Sequence, residues 1–474
     1  SGRCLRGHTE EQEENTLAKR KKSKKVLPVE RLPVLNPNVA GIDLGAREHW
    51  VCCPQRDRKD PNVKVFSTVT KDLNRIASWL LKEGVTSVAM ESTSVFWIPL
   101  YEILEAKGIQ VLLVNSRQLS HVPGRKTDMQ DCQWLQLLHS CGLLRGSFRP
   151  NESICRLRAL KRQAANLIEE RTKAIQWMQK ALDQMNVFVH HAVSKVGGKT
   201  GLTIIRAIVD GERDPLKLAE LKDCRCRKSL EKFAEYLNGN WRTEHLFNLR
   251  MALKFHDQLQ ESIDEYELAI KREIEALTPD DRKEEDVPKH PSARKERLQH
   301  RRGQQALRTL LYRFAGVDLT RIDGIGPETA MIILTEAGLD LSAFPDEKHF
   351  VSWLRLSPRT SFSAGKPIKK RKNGMGATRL STALRVAART LLKTKTALGA
   401  ELRRLKHRKG IVIAIFAVAR KLATLVYRML RYGQDYVDVG DAAYEERFRK
   451  KRLFGITASA KELGYNLVPL EAAS

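Results

Sequence analysis

The chain has 474 residues, room for two or three domains that each bury a core. Its 84 Lys and Arg outnumber 56 Asp and Glu, a formal net charge of +28. That excess disfavours an enzyme of small metabolites and suits a polyanion, because phosphate contacts and counterion release dominate nucleic-acid affinity. The tail Lys19-Arg20-Lys21-Lys22-Ser23-Lys24-Lys25 supplies part of the charge, but the excess persists through the body of the chain. The 8 cysteines show no zinc-type spacing and read as free thiols of a reducing cytosol. The longest apolar run, Ile411 to Ala419, is too short to span a bilayer. With no secretory leader expected, the sequence points to a cytoplasmic protein.

Residues 1–37 are polar, basic and proline-punctuated, and disorder is expected there. Residues 38–150 read as α/β. Val39 to Asp43 is a short apolar strand, Glu48 to Cys53 its hairpin partner, and Val63 to Phe66 a third strand. Leu73 to Leu81 has helical spacing, Ser87 to Glu91 is a buried strand, Pro99 to Lys107 a helix and Gln110 to Val114 a strand. A last helix begins near Thr127, with Trp134, Leu135, Leu137 and Leu138 as its stripe. Three strands followed by helix–strand–helix–strand–helix is the element order of an RNase H-like domain. Residues 151–278 carry two amphipathic repeats, Ile154 to Met178 and Leu246 to Leu277, which suit an antiparallel coiled coil or a dimerisation arm. Residues 279–316 are charged and read as a linker. Residues 317–435 form a mainly helical domain whose closing helix, Ile411 to Leu430, is too apolar on most faces for a surface element. Residues 436–474 read as a loosely packed extension.

Four acids stand out by position. Asp43 ends one buried strand and Glu91 another, while Asp128 and Asp131 share one face of a helix start that Thr127 can cap. A carboxylate at the end of an apolar strand is costly unless it meets a cation. Each acid has a plainer explanation, such as a strand-to-turn residue or a favourable first-turn charge. Their joint order favours a metal site, and all-oxygen ligands beside phosphate suit Mg²⁺.

Gly41-Ile-Asp43, Met90-Glu91-Ser-Thr, Val114-Asn115 and Lys126-Thr-Asp128-Met-Gln-Asp131 resemble successive blocks of the DEDD transposases of insertion-sequence family 110, the bridge-RNA-guided recombinases. Ile322 to Ala330, Trp353 to Pro358 and Lys372 to Leu380 resemble that family's C-terminal blocks. The resemblance implies a RuvC-like domain, a coiled-coil arm and a serine domain that joins covalently to a DNA end. It also implies a structured noncoding guide RNA, donor and target duplex DNA, and a homo-oligomer with active sites shared between protomers. In the family pattern the serine lies in a polar loop five residues beyond the Leu-x-Pro proline. Counting from Pro358 gives Ser363, with Ser361 two residues earlier. The loop departs from the pattern by carrying Ala364 where glycine is common, and the arm and the charged linker are long for the family.

On chemistry alone, Ser363 is one hydroxyl among many and needs activation. Its surroundings are distinctive: Lys366, Lys369, Lys370, Arg371, Lys372 and Arg379 follow without an intervening acid, interleaved with glycines. Such a segment could grip a phosphodiester, with Ser363 as nucleophile or as a mere phosphate contact. Lys126 is a further phosphate candidate. Gly324 and Gly326 belong to a helix-hairpin-helix-like turn whose amides suit a phosphate, or simply a tight helix connection. The expected activity is site-specific recombination of an insertion element. Its rivals are a junction-resolving nuclease using metal-activated water and a non-catalytic scaffold, and the intact acids argue against the scaffold.

Overall fold

The computed structural model describes residues 33–55, 62–92, 94–115, 127–226, 228–283, 287–290, 293–301, 303–357, 361–363, 366–368, 378–436 and 438–468. The basic tail through residue 32, Lys126, Lys369, Lys370, Arg371 and Lys372 lie outside them. The chain divides into two units, 1–149 and 150–474.

The first unit is α/β. Its elements are β1 (Val39–Leu44), β2 (Glu48–Cys52), β3 (Val63–Ser67), α1 (Thr70–Lys82), β4 (Ser87–Glu91), α2 (Trp97–Ala106), β5 (Gln110–Val114) and α3 (Asp128–Ser140). The sheet runs β3-β2-β1-β4-β5. β2 is antiparallel to both β1 and β3, while β4 is parallel to both β1 and β5. Central strands buried on both faces need apolar side chains at successive positions, and Val39, Ala40 and Ile42 supply them in β1. One face packs Ile42, Val88 and Met90 against Leu73, Ile76 and Leu80 of α1 and Leu100 and Leu104 of α2. The opposite face sets Ala89 and Val114 against Leu135 of α3.

The second unit is largely helical. α4 (Glu152–Gln184) and α9 (Thr243–Leu277) are its longest elements. Arg156 bonds Glu273 and Trp177 stacks on Phe255, so partner numbers fall as residue numbers rise and the helices run antiparallel. Their stripes bury each other, through Leu157, Ala164 and Ala174 on α4 and Leu259, Ile263 and Ile270 on α9. Between them lie α5 (Val189–Ala192), α6 (Lys199–Asp210), α7 (Pro215–Glu220) and α8 (Leu230–Glu235). These gather Ile204, Ile205, Ile208, Leu218 and Phe233 into a core against Met178 and Leu249. Sequence reading assigned no elements to this stretch, although Asp214 caps α7 and Pro215 opens it, a standard start signal.

After the arm come α10 (Ala293–Arg301), α11 (Gln305–Ala315), a 3₁₀ turn (Leu319–Arg321), α12 (Pro327–Ala337) and α13 (Glu347–Trp353). A hairpin of β6 (Ser361–Ser363) and β7 (Lys366–Ile368) precedes α14 (Arg379–Thr390), α15 (Ala397–Lys409), α16 (Ile411–Tyr432) and α17 (Gly440–Glu462). α13, α14 and α15 pack on α16 through its Val418, Leu422, Val426 and Tyr427.

Two expectations need correcting. The segment 279–316 carries α10 and α11 rather than a bare linker. Arg308 of α11 is 1% exposed and donates to Asp318 Oδ2 at 3.0 and 2.7 Å, so part of its charge lies inside the fold. α16 is also less enclosed than its composition suggests. Its first turn leaves Val412 and Ile413 exposed, because α13, α14 and α15 cover one face of the helix only.

Candidate active site

β1 and β4 are parallel neighbours with Gly41 opposite Ala89 and Ile42 opposite Met90. The register therefore carries Asp43 and Glu91 to the same C-terminal edge. Side chains alternate along a strand, so Asp43 shares the face of Gly41, and Glu91 that of Ala89. This is the face α3 covers.

α3 runs antiparallel to the two strands and is fixed along its length. Near its C-terminus His139 Nε2 lies 2.9 Å from Ser87 Oγ at the start of β4. One turn earlier, the side-chain amide of Gln136 donates to the Val39 carbonyl at 3.4 Å. Then comes Gly41. A Cβ there would sit 2.3 Å from the Cys132 carbonyl oxygen and 2.4 Å from the Gln136 nitrogen, a separation that no side chain tolerates. Glycine lets the helix lie against the strand, and the helix start then falls beside the carboxyl edge of the sheet. Thr127 caps that start, its side chain accepting the Gln130 N–H at 3.3 Å. Asp128 and Asp131 occupy the first turn.

The electrostatics show the convergence. The Asp43 carboxyl is pushed up to about 6, first by burial and then by the charges of Asp128, Asp131 and Glu91, with the Leu44 amide opposing. Cys132, next to Asp131, donates its thiol to the Met129 carbonyl at 3.1 Å, and the nearby Cys52 thiol and then burial raise its pKa. Among the described residues, no three His, Cys, Asp or Glu side chains close on a point tightly enough to hold an ion as they stand. Sequence reading expected all four within one ion's reach; the structure brings them into electrostatic range. As a donor set they fit a hard divalent cation: oxygen ligands only, with one carboxylate held unfavourably by its neighbours.

In the second unit, Ser363 pairs with Lys366, and Ser361 with Ile368, in the β6–β7 hairpin. Sequence reading placed Ser363 in a flexible loop. The alternation Ser361-Phe362-Ser363 is instead a strand pattern, and it fixes the serine opposite a lysine at the closed end of a hairpin. Arg379, at the start of α14, donates to Asn166 Oδ1 of the arm at 3.0 Å. Gly324 has φ +87, and a Cβ there would meet the Ala387 carbonyl oxygen at 2.9 Å, so the turn packs directly on α14. Gly326 is the N-cap of α12 and has open space beside it. The arm is anchored to this helix by a pairing that sequence reading missed. Arg162 makes a bidentate contact with Glu336 at 2.8 and 2.6 Å. Residues so distant in sequence carry no local signal of pairing.

Both family matches are to transposases. A DEDD transposase model for insertion-sequence family 110 matches residues 40–187, and one described as the transposase IS116/IS110/IS902 family matches residues 316–402. The chain belongs to the IS110-type DEDD transposases, enzymes that cut and rejoin the DNA of insertion elements. That family typically uses a divalent metal. The first match contains Asp43, Glu91, Asp128 and Asp131; the second contains Gly324, Gly326, Ser361, Ser363 and Arg379. No curated protein matches the chain.

Proposed function

We propose that the chain is a site-specific recombinase that cuts DNA with Ser363 and an RNase H-like, RuvC-like carboxylate site, guided by a structured noncoding RNA. The observation that carries this is the gathering of Asp43 and Glu91 at one strand edge with Asp128 and Asp131 in the first turn of α3 beside it. These four residues would hold Mg²⁺, whose positive charge would stabilise charge building on the phosphate in the transition state. The Ser363 oxygen would attack phosphorus as its proton is lost, the bond to one DNA oxygen breaks with that oxygen taking up a proton, and the serine keeps the phosphate as an ester. That ester preserves the bond energy needed for rejoining to another strand. Lys366 and Arg379, with Lys369, Lys370, Arg371 and Lys372, would hold the backbone while Ser363 reacts, and Lys126 would do so beside the acids. Amides at Gly324 and Gly326 would contact a flanking phosphate. The serine of one protomer would meet the carboxylates of another, so the working particle is an oligomer on donor and target duplexes. The guide RNA follows from the family resemblance, and the +28 charge suits any nucleic-acid partner. A nucleoid-associated location follows from the DNA substrate.

The test is a protein–DNA adduct that survives denaturation, formed with cognate DNA, RNA and Mg²⁺. Ser363→Ala should eliminate the adduct while sparing RNA binding, and Ser361→Ala should keep substantial activity. If both variants cut at the wild-type rate, water is the nucleophile, and a RuvC-like junction-resolving nuclease replaces this reading.

A further inference from the structure

Residues 403–474 lie beyond both matched segments. The end of α15 and all of α17 fall there, side by side. Asp438 Oδ1 accepts the Ala397 N–H at 3.0 Å, and Asp441 pairs with Arg403 at 3.6 Å. Arg404 donates to the Tyr444 hydroxyl at 2.7 Å, and its guanidinium lies 3.8 Å from the centre of the Phe448 ring. Partner numbers rise together, so α15 and α17 run parallel. The next turn of each brings the end of α15 beside the middle of α17.

Both stretches are strongly cationic. Lys406, Arg408 and Lys409 on α15 are exposed, as are Arg447, Arg449 and Lys451 on α17, with Arg452 following. Among the described residues these cations make no ion pair; Lys450 differs, meeting Glu446 at 2.7 Å. The cations ending α15 are favoured by the helix dipole. No such term applies on α17, which runs from Gly440 to Glu462 and carries its basic run mid-helix. There Arg447 and Lys451 repel each other across one turn. A polyanion would relieve that repulsion.

We propose that the end of α15 and the middle of α17 form a sequence-independent binding site for a nucleic-acid phosphodiester backbone, with every one of its cations beyond the segments that define the family. The site rests on the chain's acting on nucleic acid, but not on the serine chemistry. Its ligand is a run of phosphates, from duplex DNA or from RNA.

The test uses the full chain without Mg²⁺, titrated with a labelled duplex of mixed sequence and with a single-stranded RNA of equal length, over a range of salt. One variant is Arg447→Gln/Arg449→Gln/Lys451→Gln/Arg452→Gln, and a second is Lys406→Gln/Arg408→Gln/Lys409→Gln. Each lost contact should flatten the plot of log affinity against log salt by about 0.9 on duplex or about 0.7 on single strands. At low salt, affinity should fall roughly tenfold or more. Loss on duplex alone names DNA as the ligand, and loss on RNA alone names RNA. The charge-preserving Arg447→Lys/Arg449→Lys/Arg452→Lys should bind as wild type. Should the α17 variant fail to fold, the α15 variant carries the test, since its positions are exposed at a helix end. Unchanged slopes on both probes with wild-type melting would overturn the proposal. So would a change in particle mass without a change in slope, which would assign the surface to a protein partner. Loss of DNA cutting in Ser363→Ala, or its persistence, leaves these slopes unaffected, so the two readings fail separately.

Discussion

Asp43 links stability and chemistry at the scale of a single residue. Its carboxyl stands at about 6 against an ordinary 3.8, raised by burial and then by three neighbouring acids. An acid with a raised folded pKa contributes stability that is fully present below its unfolded value. That contribution is lost as pH rises through the folded value. At neutral pH the metal-free protein therefore carries a cost of order 1–3 kcal/mol, allowing for the group's partial exposure. In chelator, Asp43→Asn should raise Tm at pH 7, have little effect near pH 4, and abolish DNA cutting on return of Mg²⁺. A Tm that drops at pH 7 would show that the carboxylate holds the fold together. Asp43, Glu91, Asp128 and Asp131 were legible as candidates because strand ends and a capped helix start leave local patterns. Gly41 was visible only as part of a motif, and Ser87 and His139 not at all. Their roles depend on α3 lying across a sheet whose strand order no local window contains.

At the scale of elements, the same limit explains α10 and α11. Charge density between residues 279 and 316 reads as solvent exposure, yet Arg308 is enclosed. It donates to the Pro288 carbonyl at 2.6 Å as well as to Asp318. Asp318 also accepts from the Thr320 amide at 3.0 Å and from its hydroxyl at 2.6 Å. Every charged atom of the carboxylate is thus engaged, the condition under which a buried ion pair persists. Removing one partner leaves the other buried and unpaired. Asp318→Asn and Arg308→Met should each destabilise the second unit by about 3–5 kcal/mol. The double variant Arg308→Met/Asp318→Leu should recover part of the loss. Urea titration followed by circular dichroism measures all three. A loss below about 1 kcal/mol in both single variants would place the pair among surface contacts.

At the scale of the molecule, the arm's own packing changes the argument for assembly. Of the two readings of the amphipathic stripes, an antiparallel coiled coil or a dimerisation arm, the first is what forms within the chain, since α4 and α9 bury each other. What remains is local. Trp177 is 52% exposed and stacks on Phe255, with Met251 beside them in a groove of about 520 Å³ that Lys180 and Gln184 also line. Phe247, one turn before Met251, is 59% exposed. Aromatic side chains left in water at one place on an otherwise charged arm mark a contact surface. We expect a second copy of the chain there, in keeping with the proposed sharing of serine and carboxylate sites between protomers. Light scattering on the protein with nucleic acid bound should give a mass above the monomer. Trp177→Glu with Phe255→Lys should reduce that mass and suppress strand exchange, because both positions are exposed. Melting of the variant should stay close to wild type. A monomeric wild type at working concentration would sink the shared-site arrangement. An assembled variant would move the interface elsewhere.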